Sequence, residues 1–219
     1  MKRIACLTFV LATFVTACAF DNYAPPETVL EGRVVYQGQP VGVRQNAIQL
    51  ELWQDGYELR RDIPAYVRQD GTFAATLLEG TYKLVRKRNS GPWRNDPDTV
   101  VIELRGPQRV DVPVEPFFII KNDGIQRNGS TLTATFDVEQ VVQGTELERV
   151  ALYVGNTLFV DARYNAARAE REDSSGAITL TLDLSSVSQN REYVFARIGV
   201  KTKGVEEMLY TQVEKIQLN

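Results

Sequence analysis

The sequence predicts an all-β protein with two tandem β-sandwich domains behind an N-terminal export signal. Three observations support this fold class. Short segments alternate apolar and polar residues, turn-forming pairs that contain glycine separate them, and the first half has no convincing helical period. The composition, 43% hydrophobic and 24% charged, lies close to the globular average and excludes a disordered chain or a polytopic membrane protein. The length of 219 residues allows one large domain or two small ones.

The first 17 residues have the charged, apolar and small-residue regions of a secretory signal. Met1-Lys2-Arg3 is the basic start, and the apolar run over 4–15 is too short to span a bilayer. Val15-Thr16-Ala17-Cys18 resembles the lipobox of bacterial lipoproteins. This resemblance implies that residues 1–17 are a lipoprotein signal peptide and that Cys18 is lipidated as the first mature residue. The alternative is an ordinary cleaved signal in which Cys18 has no special role.

Removal of the signal peptide changes the net charge and the thiol content of the mature chain. It removes Lys2 and Arg3 and leaves 23 basic against 28 acidic residues, a formal net charge of −5, so we expect no nucleic acid partner. Cys6 leaves with the signal and Cys18 carries lipid, which leaves the folded part without a thiol. The chain has no histidine, which excludes Ser-His-Asp, Cys-His and HExxH sites. We therefore predict no catalytic residues, no metal site and no cofactor.

Residues 18–27 combine the cysteine with a polar stretch that contains prolines, which predicts a flexible tether. The first domain is predicted over 28–116. Its strands are predicted at 28–35, 47–52, 81–85, 99–104 and 108–114, with turns at Gly38-Gln39-Pro40, Asp70-Gly71 and Glu79-Gly80.

The order of these features resembles the carboxypeptidase regulatory-like, or transthyretin-like, β-sandwich. The matching segments are Gly32-Arg33-Val34-Val35, Gly38-Gln39-Pro40-Val41, Ile48-Gln49-Leu50, Asp70-Gly71-Thr72-Phe73 and Leu78-Glu79-Gly80-Thr81-Tyr82.

The second domain is predicted over 117–219 as an immunoglobulin or fibronectin III-like sandwich of about seven strands. Asn122-Asp123-Gly124 is a predicted turn, and 162–172 has a helix-favouring composition that predicts a surface connection or a short helix. Strands are predicted at 131–138, 149–154, 157–160, 177–184, 193–202 and 208–218.

The whole arrangement resembles a family of two-domain lipoproteins of unestablished function that accompany the Sus-type glycan-uptake systems of gut Bacteroidetes. The features that carry this resemblance are the lipobox cysteine, the leader over 21–25, the first sandwich, and a C-terminal domain with the segment 193–200. The resemblance implies a protein anchored to the outer membrane, at the cell surface or the periplasmic face. It also implies a TonB-dependent importer and its lid lipoprotein as partners, and it brings no catalytic motif.

Aromatic side chains beside amides and carboxylates are the groups that suit glycan binding, because sugar rings stack on aromatic faces and hydroxyls need hydrogen-bond partners. Trp53 is the first candidate, since Ile48, Leu50 and Leu52 occupy the opposite face of its strand. In the alternative interpretation the strand ends at Leu52, and Trp53 folds over the sandwich edge beside Tyr57.

Trp93 is the second candidate. It lies in a predicted loop rich in turn formers, and its neighbours Arg94, Asn95 and Asp96 could bind hydroxyls. The alternative is that Trp93 is a hydrophobic plug at one end of the sandwich.

Two further patterns leave alternatives open. The basic run Lys83, Arg86, Lys87 and Arg88 predicts either a charged strand edge that blocks aggregation or a surface that binds acidic sugars. Tyr193, Phe195 and Arg197 share one face of a strand, and either face of that strand could be the buried one.

Together these observations favour a membrane-anchored, non-enzymatic accessory lipoprotein that supports polysaccharide binding or uptake. A purely structural adaptor that docks on an importer complex without binding sugar is the alternative. A small glycoside hydrolase is the second alternative, because the spacing of paired carboxylates in space cannot be read from sequence.

Overall fold

A computed structural model describes residues 25–172, 176–187 and 191–218. Within these ranges the chain forms β-strands and no α-helix, arranged as two sandwiches, which confirms the predicted fold class. No helix long and apolar enough to cross a membrane occurs among these residues. The predicted signal peptide 1–17, Cys18 and most of the tether lie outside the described residues.

The first sandwich packs two sheets face to face. One has the order β8-β1-β5, with β2 paired to the end of β1, and the other has the order β4-β3-β6-β7. Neighbouring strands are antiparallel except β1 and β8, which run parallel. The strands are β1 (Thr28–Tyr36), β2 (Gln39–Pro40), β3 (Ile48–Trp53), β4 (Ile63–Val67), β5 (Thr72–Leu77), β6 (Gly80–Arg86), β7 (Val100–Leu104) and β8 (Gln108–Pro113).

Side-chain alternation explains why these segments form strands with one buried face. In β3, Ile48, Leu50 and Leu52 are fully buried, while the residues between them are only half-buried. They meet Leu30 and Phe73 from the other sheet in one continuous apolar core. Burial of each such side chain contributes about 1.5–3 kcal/mol to folding.

The second sandwich has a three-stranded sheet, β13-β10-β9, and a second sheet, β12-β11-β14, in which both β15 and β16 pair with β14. Its core includes Phe136, Leu152 and Ile198. The strands are β9 (Phe118–Asn128), β10 (Thr131–Gln140), β11 (Leu147–Gly155), β12 (Ala167–Glu172), β13 (Gly176–Asp183), β14 (Tyr193–Thr202), β15 (Leu209–Tyr210) and β16 (Glu214–Gln217).

Three local predictions for this domain are wrong. The segment 157–160 is a loop, and the helix-favouring stretch ends in an edge strand, because β12 completes its hydrogen bonds with β11 and packs Ala167 and Ala169 on the core. The predicted turn at Asn122-Asp123-Gly124 is a β-bulge within β9. The register with β10 shifts there, and Asn122 adopts a positive φ of 52°.

The two sandwiches pack against each other through a buried arginine. Arg197 on β14 is fully buried, and its Nη1 donates to the carbonyl oxygen of Val43 at 3.1 Å. Gly42 forms a bridge with Tyr210, where an added Cβ would come within 2.3 Å of the Tyr210 carbonyl oxygen. These contacts explain why both faces of β14 are buried at Arg197, a question that the sequence left open.

An ion pair reinforces the same interface. Nε and Nη2 of Arg44 donate to the two oxygens of the Glu207 carboxylate. Both side chains are largely shielded from solvent. Hydrogen bonding to Glu207 is the largest cause of the raised pKa of Arg44. A planar, two-point pair of this kind fixes orientation as well as distance.

Candidate functional site

Trp93 is buried at the end of the first sandwich, so its ring offers no open face for stacking. Only 4% of the residue is exposed, and it belongs to the core of the first domain. The ring packs directly against Gly91, which has no side chain. A Cβ added to Gly91 would lie 2.3 Å from the nearest ring atoms of Trp93. Trp93 also forms a bridge with Pro116 in the segment that joins the domains. The predicted role of Trp93 in glycan stacking is therefore wrong, and the alternative of a hydrophobic plug describes its position.

The polar neighbours of Trp93 are bonded to other parts of the protein. Arg94 forms a 2.5 Å ion pair with Glu115. Asn95 exchanges two hydrogen bonds with Asn89. The carboxylate of Asp96 lies 2.9 Å from the guanidinium of Arg86, which is itself buried. These bonds shape the loop and hold it against the domain junction.

The outer face of the sheet β4-β3-β6-β7 is open to solvent and carries aromatic side chains. Trp53 stays within β3, paired with Lys83, and points away from the core rather than folding over the edge. Tyr66 pairs with Gln49 across β4 and β3, so it shares this face, and it is 50% exposed. We name this surface the open face; its residues are Gln49, Glu51, Trp53, Pro64, Tyr66, Lys83 and Lys87.

The ring of Trp53 is held in place from two sides. Its Nε1 donates to Glu51 at 3.3 Å, and the guanidinium of Arg60 lies 5.4 Å from the ring centre. Arg60 comes from the exposed loop that joins β3 to β4. A cation–π contact at an exposed site is worth about 0.5–1 kcal/mol. A ligand that stacks on the ring more strongly than this can therefore displace Arg60.

Hydrogen-bonding groups surround the two aromatic rings. Gln49 donates to Asp62 at 3.1 Å and accepts from Lys87 at 2.9 Å. Lys83 pairs with Asp55, and this hydrogen bond lowers the pKa of the Asp55 carboxyl. Since these groups lie at the surface, sugar hydroxyls can replace their mutual bonds at small net cost.

Tyr57 lies beyond the end of β3, in the same loop as Arg60, and is 63% exposed. Trp53 and Tyr57 were predicted from the sequence, whereas Tyr66 and Arg60 were not. Tyr66 had a readable signal, because it alternates with Ala65 and Val67, both of which are buried. Arg60 had no such signal in the sequence, because its position over the Trp53 ring depends on the path of the loop.

The chemistry of the open face suits binding by stacking and hydrogen bonding. No group of three or more potential metal ligands occurs in the parts of the chain that the structure describes. The backbone positions of Trp53 and of Gln49, which pairs with Tyr66, are about 13 Å apart along the strand, from a rise of about 3.3 Å per residue.

Two family models match the chain in sequence. Residues 28–115 match the N-terminal domain of DUF3823, a protein of unknown function, and residues 118–215 match the DUF3823 C-terminal domain of unknown function. No curated protein matches the chain.

Solved structures of similar proteins come from Bacteroidetes. A DUF3823 family protein from Parabacteroides merdae is 35% identical with a TM-score of 0.84, covering 89% of this chain and 100% of its own. One from Bacteroides ovatus is 35% identical with a TM-score of 0.83, covering 88% and 100%. A protein from Bacteroides uniformis, provisionally named a carbohydrate binding protein, is 20% identical with a TM-score of 0.73, covering 89% and 100%, and this likeness shows the fold alone.

Proposed function

The chain belongs to the DUF3823 family, and we propose that it is a lipid-anchored, non-enzymatic protein that binds polysaccharide on its open face. The observation that carries the proposal is the placement of Trp53 and Tyr66 on one sheet surface, with amide, carboxylate and ammonium groups around them. Apolar side chains that cluster on one exposed surface are typical of binding sites. A rigid sheet also holds them at a fixed spacing.

The shape of the open face suits an extended chain more than a single sugar. The surface is a sheet face and not a pit, and the strand positions that carry its two rings are about 13 Å apart. A polysaccharide could place one sugar on Trp53 and another on Tyr66, while the hydroxyls between them reach Gln49 and Lys87. The provisional name of the Bacteroides uniformis relative agrees with this class of ligand.

The proposed anchor is Cys18, and the fold gives it a consistent geometry. β1 begins at Thr28 and ends at Tyr36, where the β1–β2 hairpin approaches the second domain through Gly42. A nine-residue strand is about 30 Å long. The start of β1 therefore lies at the end of the first domain remote from the second. A lipid on Cys18 would hold the first domain next to an outer membrane and direct the second domain outward, towards an importer and its lid lipoprotein.

A structural adaptor without sugar binding is the second candidate, and one surface favours it. The loop between β11 and β12 exposes Leu158, Phe159 and Tyr164 to solvent by 47%, 50% and 67%. Asp161 fixes this loop by accepting hydrogen bonds from the backbone of Arg163 and Tyr164. Fixed, exposed apolar side chains are typical of protein contact sites.

Affinity electrophoresis in gels that contain single polysaccharides tests the proposal. The mature chain should be retarded by at least one polysaccharide, and Trp53→Ala and Tyr66→Ala should each reduce the retardation. Tyr164→Ala removes a similarly exposed tyrosine from the second domain and serves as the matched control, with no effect expected. Retention by no polysaccharide would favour the adaptor, whereas loss with Tyr164→Ala alone would place sugar binding on the second domain and reject the open face. Release of oligosaccharides during the same incubations would favour the hydrolase.

The anchor is tested separately. Cells that express the full chain and are fed a clickable fatty acid should label it, and Cys18→Ala should abolish the label and release the protein from the membrane fraction. Equal labelling of the two forms would reject the anchor and leave the sugar-binding proposal untouched.

A further inference from the structure

The basic run over 83–88 has two kinds of cation in the structure. Arg86 is buried, and its guanidinium lies 2.9 Å from the Asp96 carboxylate, so it belongs to the framework of the first domain. Lys83 pairs with Asp55 at the surface. These two cations therefore already have carboxylate partners within the protein.

Lys87 and Arg88 have no carboxylate partner among the described residues. Both are exposed, and the Lys87 ammonium donates to the amide oxygen of Gln49 at 2.9 Å. The amide nitrogen of Gln49 donates to Asp62, so the neutral amide separates that carboxylate from Lys87. A hydrogen bond between two charged groups is stronger than one to a neutral acceptor. Exchange of the Gln49 oxygen for the carboxylate of a ligand is therefore favourable for Lys87.

Lys87 lies on the open face next to the available ring of Tyr66. Gln49 is between them, since Tyr66 is its partner in β4 and Lys87 bonds to it from the end of β6. The spacing of neighbouring strands puts the two backbone positions about 10 Å apart. Tyr66 is 50% exposed, and its hydroxyl forms no hydrogen bond within the described ranges. A sugar ring stacked on Tyr66 can therefore present an acidic group to Lys87.

The charges at the Trp53 end of the open face already compensate one another. Glu51 accepts a hydrogen bond from the Trp53 indole, and the guanidinium of Arg60 lies over the ring. An acidic group bound there would meet the Glu51 carboxylate as well as the guanidinium. The two ends therefore differ, and the Tyr66 end is the one that suits an anionic sugar.

We propose that the open face takes an acidic polysaccharide, with a uronate ring on Tyr66 and its carboxylate on Lys87. The inference rests on the function proposed above and adds the class of sugar. The expected net charge of −5 for the mature chain gives no general attraction to a polyanion. Binding of an acidic chain therefore requires a local site of this kind.

Surface plasmon resonance of the mature chain on immobilised polygalacturonate, alginate and hyaluronate tests this inference. Each polysaccharide is compared with its carboxyl-reduced form, which keeps the linkages but has neutral sugars. At least one acidic form should bind about three- to fivefold more tightly than its reduced form, the effect of one surface ion pair. Lys87→Gln should remove this preference, and added salt should weaken binding of the acidic form alone.

Two further variants separate the site from general charge. Lys121→Gln removes a cation from the second domain, where Lys121 pairs with Glu139, and should keep the preference. Tyr66→Ala should weaken binding of both forms. Thermal unfolding of each variant confirms that it is folded.

Three results would overturn the inference: binding of no acidic form, equal binding of acidic and reduced forms, or a preference that survives Lys87→Gln. Equal binding that Trp53→Ala still weakens would reject the acidic ligand and leave polysaccharide binding on the open face in place. Absence of binding to every form here and to every polysaccharide in the gels would reject both proposals.

Discussion

The guanidinium of Arg197 lies 4.3 Å from the ring centre of Tyr210, in the interface between the two sandwiches. Its Nη1 donates to the Val43 carbonyl in the first domain, while its Nε and Nη2 donate to the Thr211 carbonyl at 3.1 and 2.8 Å. One fully buried side chain therefore satisfies carbonyl groups of both domains. This residue therefore couples the two domains by hydrogen bonds in addition to apolar contact.

Changing Arg197 to Met should uncouple the domains. The substitution keeps most of the apolar stem but leaves the Val43 and Thr211 carbonyls without a donor. Each buried group left unpaired costs about 1–3 kcal/mol. We expect the single unfolding transition of the parent to separate into two in urea, with a total loss of about 2–5 kcal/mol.

Arg127→Met is the matched control, because Arg127 is exposed and, among the described residues, its side chain donates to the Gln217 carbonyl at 3.3 Å. Its stability should change by less than about 0.5 kcal/mol. One cooperative transition of unchanged midpoint in Arg197→Met would contradict the proposed coupling.

Stability should fall at high pH because of Tyr153. Burial, followed by the nearby Glu170, raises the pKa of Tyr153 to about 12. An unfolded tyrosine ionises near pH 10, so the contribution of the folded phenol is complete below pH 10 and is lost between pH 10 and 12. Denaturation across this range should show a loss of up to about 3 kcal/mol that Tyr153→Phe reduces. Identical pH profiles for the two proteins would refute this assignment.

Trp93→Ala should destabilise the first domain severely. Removing a buried tryptophan leaves a cavity and costs about 3–5 kcal/mol. The same change at the half-buried Trp53 should cost about 1 kcal/mol or less. Urea denaturation of the two variants compares them directly, and equal losses would mean that the two rings have similar environments.

Arg60→Ala should tighten polysaccharide binding. Arg60 covers part of the Trp53 ring, and its contact is worth about 0.5–1 kcal/mol, so its loss should increase affinity about two- to fivefold. Calorimetry with the polysaccharide retained in the gels measures this. Arg61→Ala, the neighbouring change in the same loop, should have little effect. Weaker binding of Arg60→Ala would show that the guanidinium contacts the ligand.

Much of the fold could be predicted from the sequence, because alternation within a strand reports local burial. Ile48, Leu50 and Leu52 were placed correctly for this reason. Amino-acid composition gave the wrong prediction for β12, which is rich in helix-forming residues. This segment is a strand because it forms hydrogen bonds with β11. The bulge at Asn122 looked like a turn because both conformations use the same residue types.

The candidate site was only half predictable. Trp53 was placed on the outer face because it follows the buried Leu52 in a strand whose side chains alternate between the two faces. Trp93 could not be placed, because its burial depends on Gly91 and on the segment around Pro116 folding over it. The coupling role of Arg197 depends on contacts with Val43, which is 154 residues away in sequence, and no local pattern reports such a contact.

The two tryptophans provide the most direct test of polysaccharide binding on the open face. The chain contains only these two, so its indole N–H groups should give two resolved signals in a nitrogen–proton correlation spectrum, assigned with Trp53→Phe. Titration with an oligosaccharide of the polysaccharide retained in gels should shift the Trp53 signal and leave that of the buried Trp93 in place. A stationary Trp53 signal at saturating ligand would contradict binding on the open face.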